Sequence, residues 1–183
     1  MNTKNFYHVS TYAHAGDIYS RETKNNFNEC KYVSSHVPSS YEEACQLLDY
    51  MRENSFGAKT GKSPEKWLCE AIFENVRKNC FSNLPSRILG VFLCDSLEMA
   101  TSFKEKERKP ETKIFEVCIS EDAVQRFDMN RFTVACDSLV RSFSSESYQR
   151  AVCFAQKYWA NEDSNNYSPE FLTEMVLTIG KEV

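Results

Sequence analysis

A nearly continuous apolar run, Ile88 to Leu93, stands at the middle of this chain, with helical patterning before it. A run so short and so free of polar alternation reads as a buried strand, which needs partner strands and covering layers from elsewhere in the sequence. Lys113 to Ile119 alternates and supplies one partner. Residues 6–12, rich in β-formers, supply a first strand, and Met175 to Ile179 a last one.

Helical patterns fill much of the remainder. Ser39-Ser40 followed by Glu42-Glu43 gives a hydroxyl cap and acids at the positive end of a helix dipole. Ala44, Leu47, Leu48 and Met51 then recur at helical spacing, with a stop expected between Asn54 and Gly57. Ser63-Pro64-Glu65 opens a second helix with a cap and a first-turn proline. Its stripe is Trp67, Leu68, Ala71, Ile72 and Val76, and Leu84-Pro85 closes the connection. Asp95-Ser96 caps a short helix over Leu97, Met99, Ala100 and Phe103, and a further helix runs from Ser144 to Trp159. The polar stretch from Gly16 to Pro38 reads as a long excursion with at most a short strand over Lys31–Val33, Arg126 to Asp128 as a turn or short strand, and Ala160 to Ser168 as a loop. With 183 residues, no internal repeat and no low-complexity linker, the economical reading is one α+β domain.

Composition excludes several classes. No stretch approaches the roughly 20 apolar residues of a membrane span, and Met1 to Asn5 lack the basic start and apolar middle of a signal peptide. The eight cysteines contain no Cys-x-x-Cys and sit mostly in apolar runs, a pattern that fits reduced thiols in a cytoplasmic protein better than a disulfide framework or a zinc site. A net charge of −4 argues against a general grip on phosphate backbones. Lys104, Lys106, Arg108 and Lys109 cluster, yet Glu105, Glu107 and Glu111 alternate with them, so a solvated loop is favoured. Gly57-Ala58-Lys59-Thr60-Gly61-Lys62-Ser63 ends like a P-loop, but the pattern's first glycine falls on Phe56 and a helix precedes it. A plain inter-helix loop is the better reading. The three histidines, His8, His14 and His36, form no metal-binding helical pair, and no serine sits in a nucleophile elbow. A cysteine nucleophile beside His8 stays open, though nothing selects one cysteine of the eight.

Three separated pieces remain: Phe6-Tyr7-His8-Val9-Ser10, Gly90-Val91-Phe92 running on to Phe103, and Thr173-Glu174-Met175-Val176-Leu177. Singly, each has an ordinary explanation, a satisfied histidine or a core phenylalanine. In this order they resemble the ADP-ribosyltransferases of the His-Tyr-Glu type, the branch with diphtheria-toxin-like and poly-ADP-ribose-polymerase-like catalytic domains. His8-Val9-Ser10 resembles that family's His-Gly-Ser/Thr, with Val9 in place of glycine. Gly90-Val91-Phe92-Leu93-Cys94-Asp95 resembles Gly-Ile-Tyr-Phe-Ala-Asp, with Phe92 in place of tyrosine, and Phe103 falls where the second aromatic is carried. Glu174-Met175-Val176-Leu177 resembles the strand that presents the catalytic glutamate. Leu172, two residues before Glu174, disfavours the Glu/Gln-x-Glu toxin type. The stretch from Glu70 to Val117, with Phe73-Glu74-Asn75-Val76-Arg77 and Pro85-Ser86-Arg87, is also similar to a bacterial and phage family of small uncharacterised proteins thought to share the fold.

The resemblance implies split central β-sheets with flanking helices, NAD as substrate and no metal. It implies that Glu174 stabilises the oxocarbenium-like centre formed as the nicotinamide–ribose bond breaks, that Phe92 and Phe103 stack on nicotinamide, and that His8 and Ser10 orient the dinucleotide. Arg21 and Arg87 are further candidates, for the pyrophosphate, and Glu170 for the acceptor. The activity implied is mono-ADP-ribosyl transfer to a macromolecular acceptor. Protein is favoured over nucleic acid by the acidic charge, and no membrane is involved. The alternatives are an NAD glycohydrolase and an inactive NAD-sensing or protein-binding module. Proteins of this size and type can act in host–phage conflict or as effectors delivered into a host cell, an association at the level of fold.

Overall fold

A computed structural model describes residues 2–20, 27–58, 61–107, 111–162 and 164–183. Elements of both kinds are present, and the chain divides into two compact units. One gathers residues 1–23, 90–126 and 170–183, the other 24–89 and 127–169. Among the described residues no helix is long and apolar enough to cross a membrane.

The first unit is built around β1 (Thr3–Ser10). It pairs antiparallel with β4 (Lys113–Ser120), placing Phe6 opposite Val117 and His8 opposite Phe115. Its other edge meets the end of β3 (Val91–Leu93) through reciprocal bonds between Tyr7 and Cys94, each 2.8 Å. β3 in turn pairs antiparallel with β6 (Pro169–Thr173), Leu93 opposite Phe171, and β5 (Gln125–Asp128) follows β6 in the sheet. A separate antiparallel pair is formed by β2 (Ile18–Tyr19) and β7 (Leu177–Thr178). Beyond β7 the chain returns to the outer edge of β4, Gly180 N–H donating to Glu116 O at 2.8 Å and Val183 N–H to Ile114 O at 3.0 Å. A Cβ on Gly180 would stand 2.6 Å from Glu116 O, so only glycine permits this approach.

Strand pleating sorts this unit into layers. Phe6, His8 and Ser10 are buried on one face of β1. There Phe6 shares a core with Phe115, Val117, Val91, Leu93 and Phe171, together with Tyr19, Leu177 and Ile179 of and beside the β2–β7 pair. On the opposite face Tyr7 and Val9 pack against Cys94, Ile114 and the helix α4 (Leu97–Glu107) through Met99 and Ala100. The Ser96 hydroxyl accepts Met99 N–H at 3.2 Å and so starts that helix. Lys104 and Lys106 lie in its last turn, while Arg108 and Lys109 fall outside the described residues.

The second unit is dominated by helices: α1 (Phe27–Ser35), α2 (Tyr41–Glu53), α3 (Pro64–Cys80), α5 (Met129–Arg141) and α6 (Ser145–Trp159). The caps expected at Ser40 and Ser63 form, and Ser144, read as the start of a helix, caps α6. Phe73, Phe127, Tyr158 and Trp159 interlock at its centre, and the Trp159 indole donates to Phe73 O at 2.8 Å.

Four expectations are corrected. Lys31–Val33 is helical, because Cys30 and Val33 bury together at a spacing of three. A further helix, α5, occupies a stretch read without one, although Phe132, Ala135, Cys136 and Leu139 follow helical spacing. β1 ends at Ser10 rather than residue 12, since the Ser10 hydroxyl accepts the N–H groups of Tyr12 and Ala13 and turns the chain. The strand expected over Met175 to Ile179 is split, with β6 before it and only Leu177–Thr178 left as β7.

The P-loop-like segment carries different chemistry. Lys59 and Thr60 lie outside the described residues, but Lys62 donates to Glu70 at 2.8 Å and Ser63 caps α3. Glu70 is also held by Arg87 Nε at 3.1 Å, and the Arg87 guanidinium lies 3.9 Å over the Phe132 ring. Burial alone would raise the Glu70 carboxyl, but the charges of Lys62 and Arg87 prevail and hold it at about 2. A group depressed in the folded state stabilises above its unfolded pKa and loses that contribution as pH falls through the folded value. Denaturant melts between pH 5 and pH 2 should therefore show acid destabilisation that Glu70→Gln largely removes, at a cost of about 3 kcal/mol at neutral pH.

Candidate functional site

Residues of the first unit assemble around His8. The imidazole is 4% exposed, its Nδ1 is 3.2 Å from Phe92 O, and the Tyr19 ring lies against it with centroids 4.5 Å apart. Tyr19 was not among the residues read from the sequence, because a two-residue strand inside a polar stretch leaves almost no periodic signal. Its position follows from β2–β7 pairing, which sets Tyr19 opposite Leu177. Ser10 shares the face of His8 and is buried, with its hydroxyl accepting two backbone N–H groups at 3.1 and 3.2 Å. Its hydroxyl hydrogen is a donor that those bonds do not use.

Glu174 is exposed and lies just past β6, not at the start of a long strand. Thr173 fixes the turn that carries it. The Thr173 hydroxyl donates to Ala123 O at 2.8 Å and accepts Met175 N–H at 3.1 Å. Residues 174–176 thus bridge from β6 in one sheet to β7 in the pair that brings Tyr19 onto His8. A carboxylate in such a connection is an acceptor at the surface.

The two phenylalanines are placed otherwise than the resemblance implies. Val91 and Leu93 point into the core shared with Phe6, so by alternation the ring of Phe92 projects to the opposite face, and it is the Phe92 carbonyl that meets His8. Phe103 sits on α4, which covers the Tyr7–Val9 face, and is 40% exposed. The structure thus does not bring the rings of Phe92 and Phe103 to His8; a ring that does lie against the imidazole is that of Tyr19.

The remaining candidates separate further. Glu170 is buried within β6. Arg87 belongs to the helical unit, where its guanidinium is buried, paired with Glu70 and bonded to the Tyr158 hydroxyl at 3.1 Å. Those bonds occupy the fork that would otherwise grip a pyrophosphate. Arg21 lies outside the described residues. Cys94 does not serve as a nucleophile for His8. It faces α4, and burial together with the charge of Asp95 pushes its thiol up to about 11, far from the thiolate needed at neutral pH.

A family model described as Protein of unknown function (DUF2441) matches residues 1–183. No curated protein matches the chain.

Replacing Thr173 by Val keeps its shape and removes the hydroxyl that shapes the Glu174 turn, leaving one carbonyl and one N–H without that partner. Urea titration should show a loss of about 1–3 kcal/mol, with amide exchange accelerated at residues 174–176 more than in the helical unit.

Proposed function

We propose that this chain, which belongs to the family described as Protein of unknown function (DUF2441), is a mono-ADP-ribosyltransferase that takes NAD as substrate. The observation that carries the reading is the contact of Tyr19, on the β2–β7 pair, with His8 on β1, together with Glu174 in the connection that leads from β6 into that pair. A buried histidine on a strand of one small sheet, an aromatic ring against it and a later glutamate leading into the neighbouring strand pair support the resemblance read from the sequence. The His-Tyr-Glu frame is used with one change, Tyr19 standing against the imidazole in place of the two phenylalanines.

The chemistry asks little of the protein beyond position and charge. As the bond between ribose C1′ and the nicotinamide nitrogen breaks, its electron pair leaves with nicotinamide and positive charge grows at C1′ and the ring oxygen. Glu174 accepts a hydrogen bond from the adjacent 2′-hydroxyl and stabilises that charge. A nucleophilic atom of the acceptor then bonds C1′ and gives up its proton to solvent. His8 and Ser10 hold the dinucleotide by hydrogen bonds rather than by proton transfer, His8 with its tautomer set by the bond to Phe92 O. The acceptor we favour is a protein, since the chain's net charge of −4 opposes close approach of a phosphate backbone.

Glu174 is exposed, so Glu174→Gln should fold normally. Incubated with NAD labelled in its adenylate half and with cell lysate, the wild-type protein should release nicotinamide and move label onto protein. Glu174→Gln should lower both by at least about 100-fold. Nicotinamide release without labelled protein would assign hydrolysis instead, and equal turnover by the variant would remove Glu174 from the chemistry.

A further inference from the structure

The helical unit carries a second site that the NAD reading does not use. Between α1 and α2 lies a cavity of about 310 Å³ lined by Tyr32, His36, Val37, Pro38, Glu43, Gln46, Leu47 and Tyr50. That volume is at the low end for ligand pockets, room for one side chain and not for a nucleotide. Three of the rings form a column: His36 and Tyr32 are stacked at 4.0 Å with planes 13° apart, Tyr32 and Tyr50 at 4.8 Å and 12°. The column is braced from inside, by His36 Nδ1 on Tyr32 O at 2.9 Å and by the edge of Phe56 against Tyr32.

Glu43 supplies the charge. Its Oε2 accepts the backbone N–H and the hydroxyl of Ser39 at 2.7 and 2.8 Å, and these bonds hold its carboxyl below the usual range. The carboxylate is thus ionised and fixed in orientation. Among the described residues it carries no ion pair, whereas the nearby Arg52 is engaged by Glu65 at 2.9 Å and Asp49 at 3.7 Å. Val37, Pro38 and Leu47 give the cavity an apolar wall, and Gln46 adds an exposed amide.

We propose that this cavity receives the side chain of an arginine presented by a basic segment of a partner protein. A guanidinium is planar, stacks on aromatic faces and matches a fixed carboxylate with parallel N–H donors. Its methylene stem suits an apolar wall. A lysine offers a point charge that cannot stack in the same way. A phosphorylated ligand would meet the negative charge of Glu43 and of the chain as a whole.

The test uses the full chain and three probes: acetyl-Gly-Arg-Gly-amide, the same peptide with lysine, and guanosine monophosphate, followed by the ring resonances of Tyr32 and Tyr50. The arginine peptide should give saturable shifts, with Kd raised about tenfold by Glu43→Gln, the equivalent of one lost charge-assisted hydrogen bond. Tyr50→Leu should weaken it as well, and serves as the second variant if Glu43→Gln disturbs the start of α2. The lysine peptide should bind several-fold more weakly. No saturable shift, equal binding of lysine, tighter binding of the nucleotide, or an unchanged Kd in both Glu43→Gln and Tyr50→Leu would each overturn the assignment.

Discussion

Hydrogen bonding along both edges of β1 is the constraint on which the first unit depends. With β4 on one side and the Tyr7–Cys94 bridge on the other, β1 cannot shift by one residue without exchanging its faces. Register therefore decides which side chains are neighbours. It commits Phe6, His8 and Ser10 to the layer that holds Tyr19, and Tyr7 and Val9 to the layer beneath α4. The same alternation, carried across to β3, turns the Phe92 ring away from His8 while leaving its carbonyl within reach.

Long periodic segments opened by serines were legible in the sequence; α5, equally periodic but opened by Asp128, and the shortest strands were not. α2, α3 and α6 start at serine caps and bury stripes that the spacing of apolar residues announces. β4 alternates along its length because one strand face is covered more deeply than the other. By contrast, β2 and β7 are two residues each, and their existence is decided by what pairs with them. α1 was obscured by β-forming side chains at Lys31–Val33, whose local preference yielded to burial of Cys30 and Val33. For the site, the sequence could name His8, Ser10 and Glu174 as a set, but not the faces of their elements. That is why two aromatic residues were matched to His8 by their order in the chain and a third, Tyr19, was passed over.

Charged groups are used in two opposite ways. In the helical unit, Glu70, Lys62 and Arg87 are spent on one another, and the aromatic faces of Phe132 and Tyr158 cover the guanidinium. Removing a single member leaves a charge stranded in an apolar interior, so the cluster is a source of specificity for one packing arrangement. Glu174 and Glu43 lie at the surface instead. Ser39 fixes the Glu43 carboxylate, and Thr173 fixes the backbone turn that carries Glu174. Carboxylates held in place at the surface suit recognition of a ligand; carboxylates neutralised inside suit cohesion.

The interleaving of the two units along the chain governs the order in which they can be completed on the ribosome. The residues of α1, α2, α3, α5 and α6 have all been synthesised once Trp159 is added, whereas β3 must wait for β6, whose residues follow. For that interval the apolar edge of β3 stands without its neighbour, an open template for pairing with another nascent copy. Assembly of the sheet is thus a late, long-range event paid for in chain entropy, and slow elongation beyond residue 160 prolongs the period of exposure.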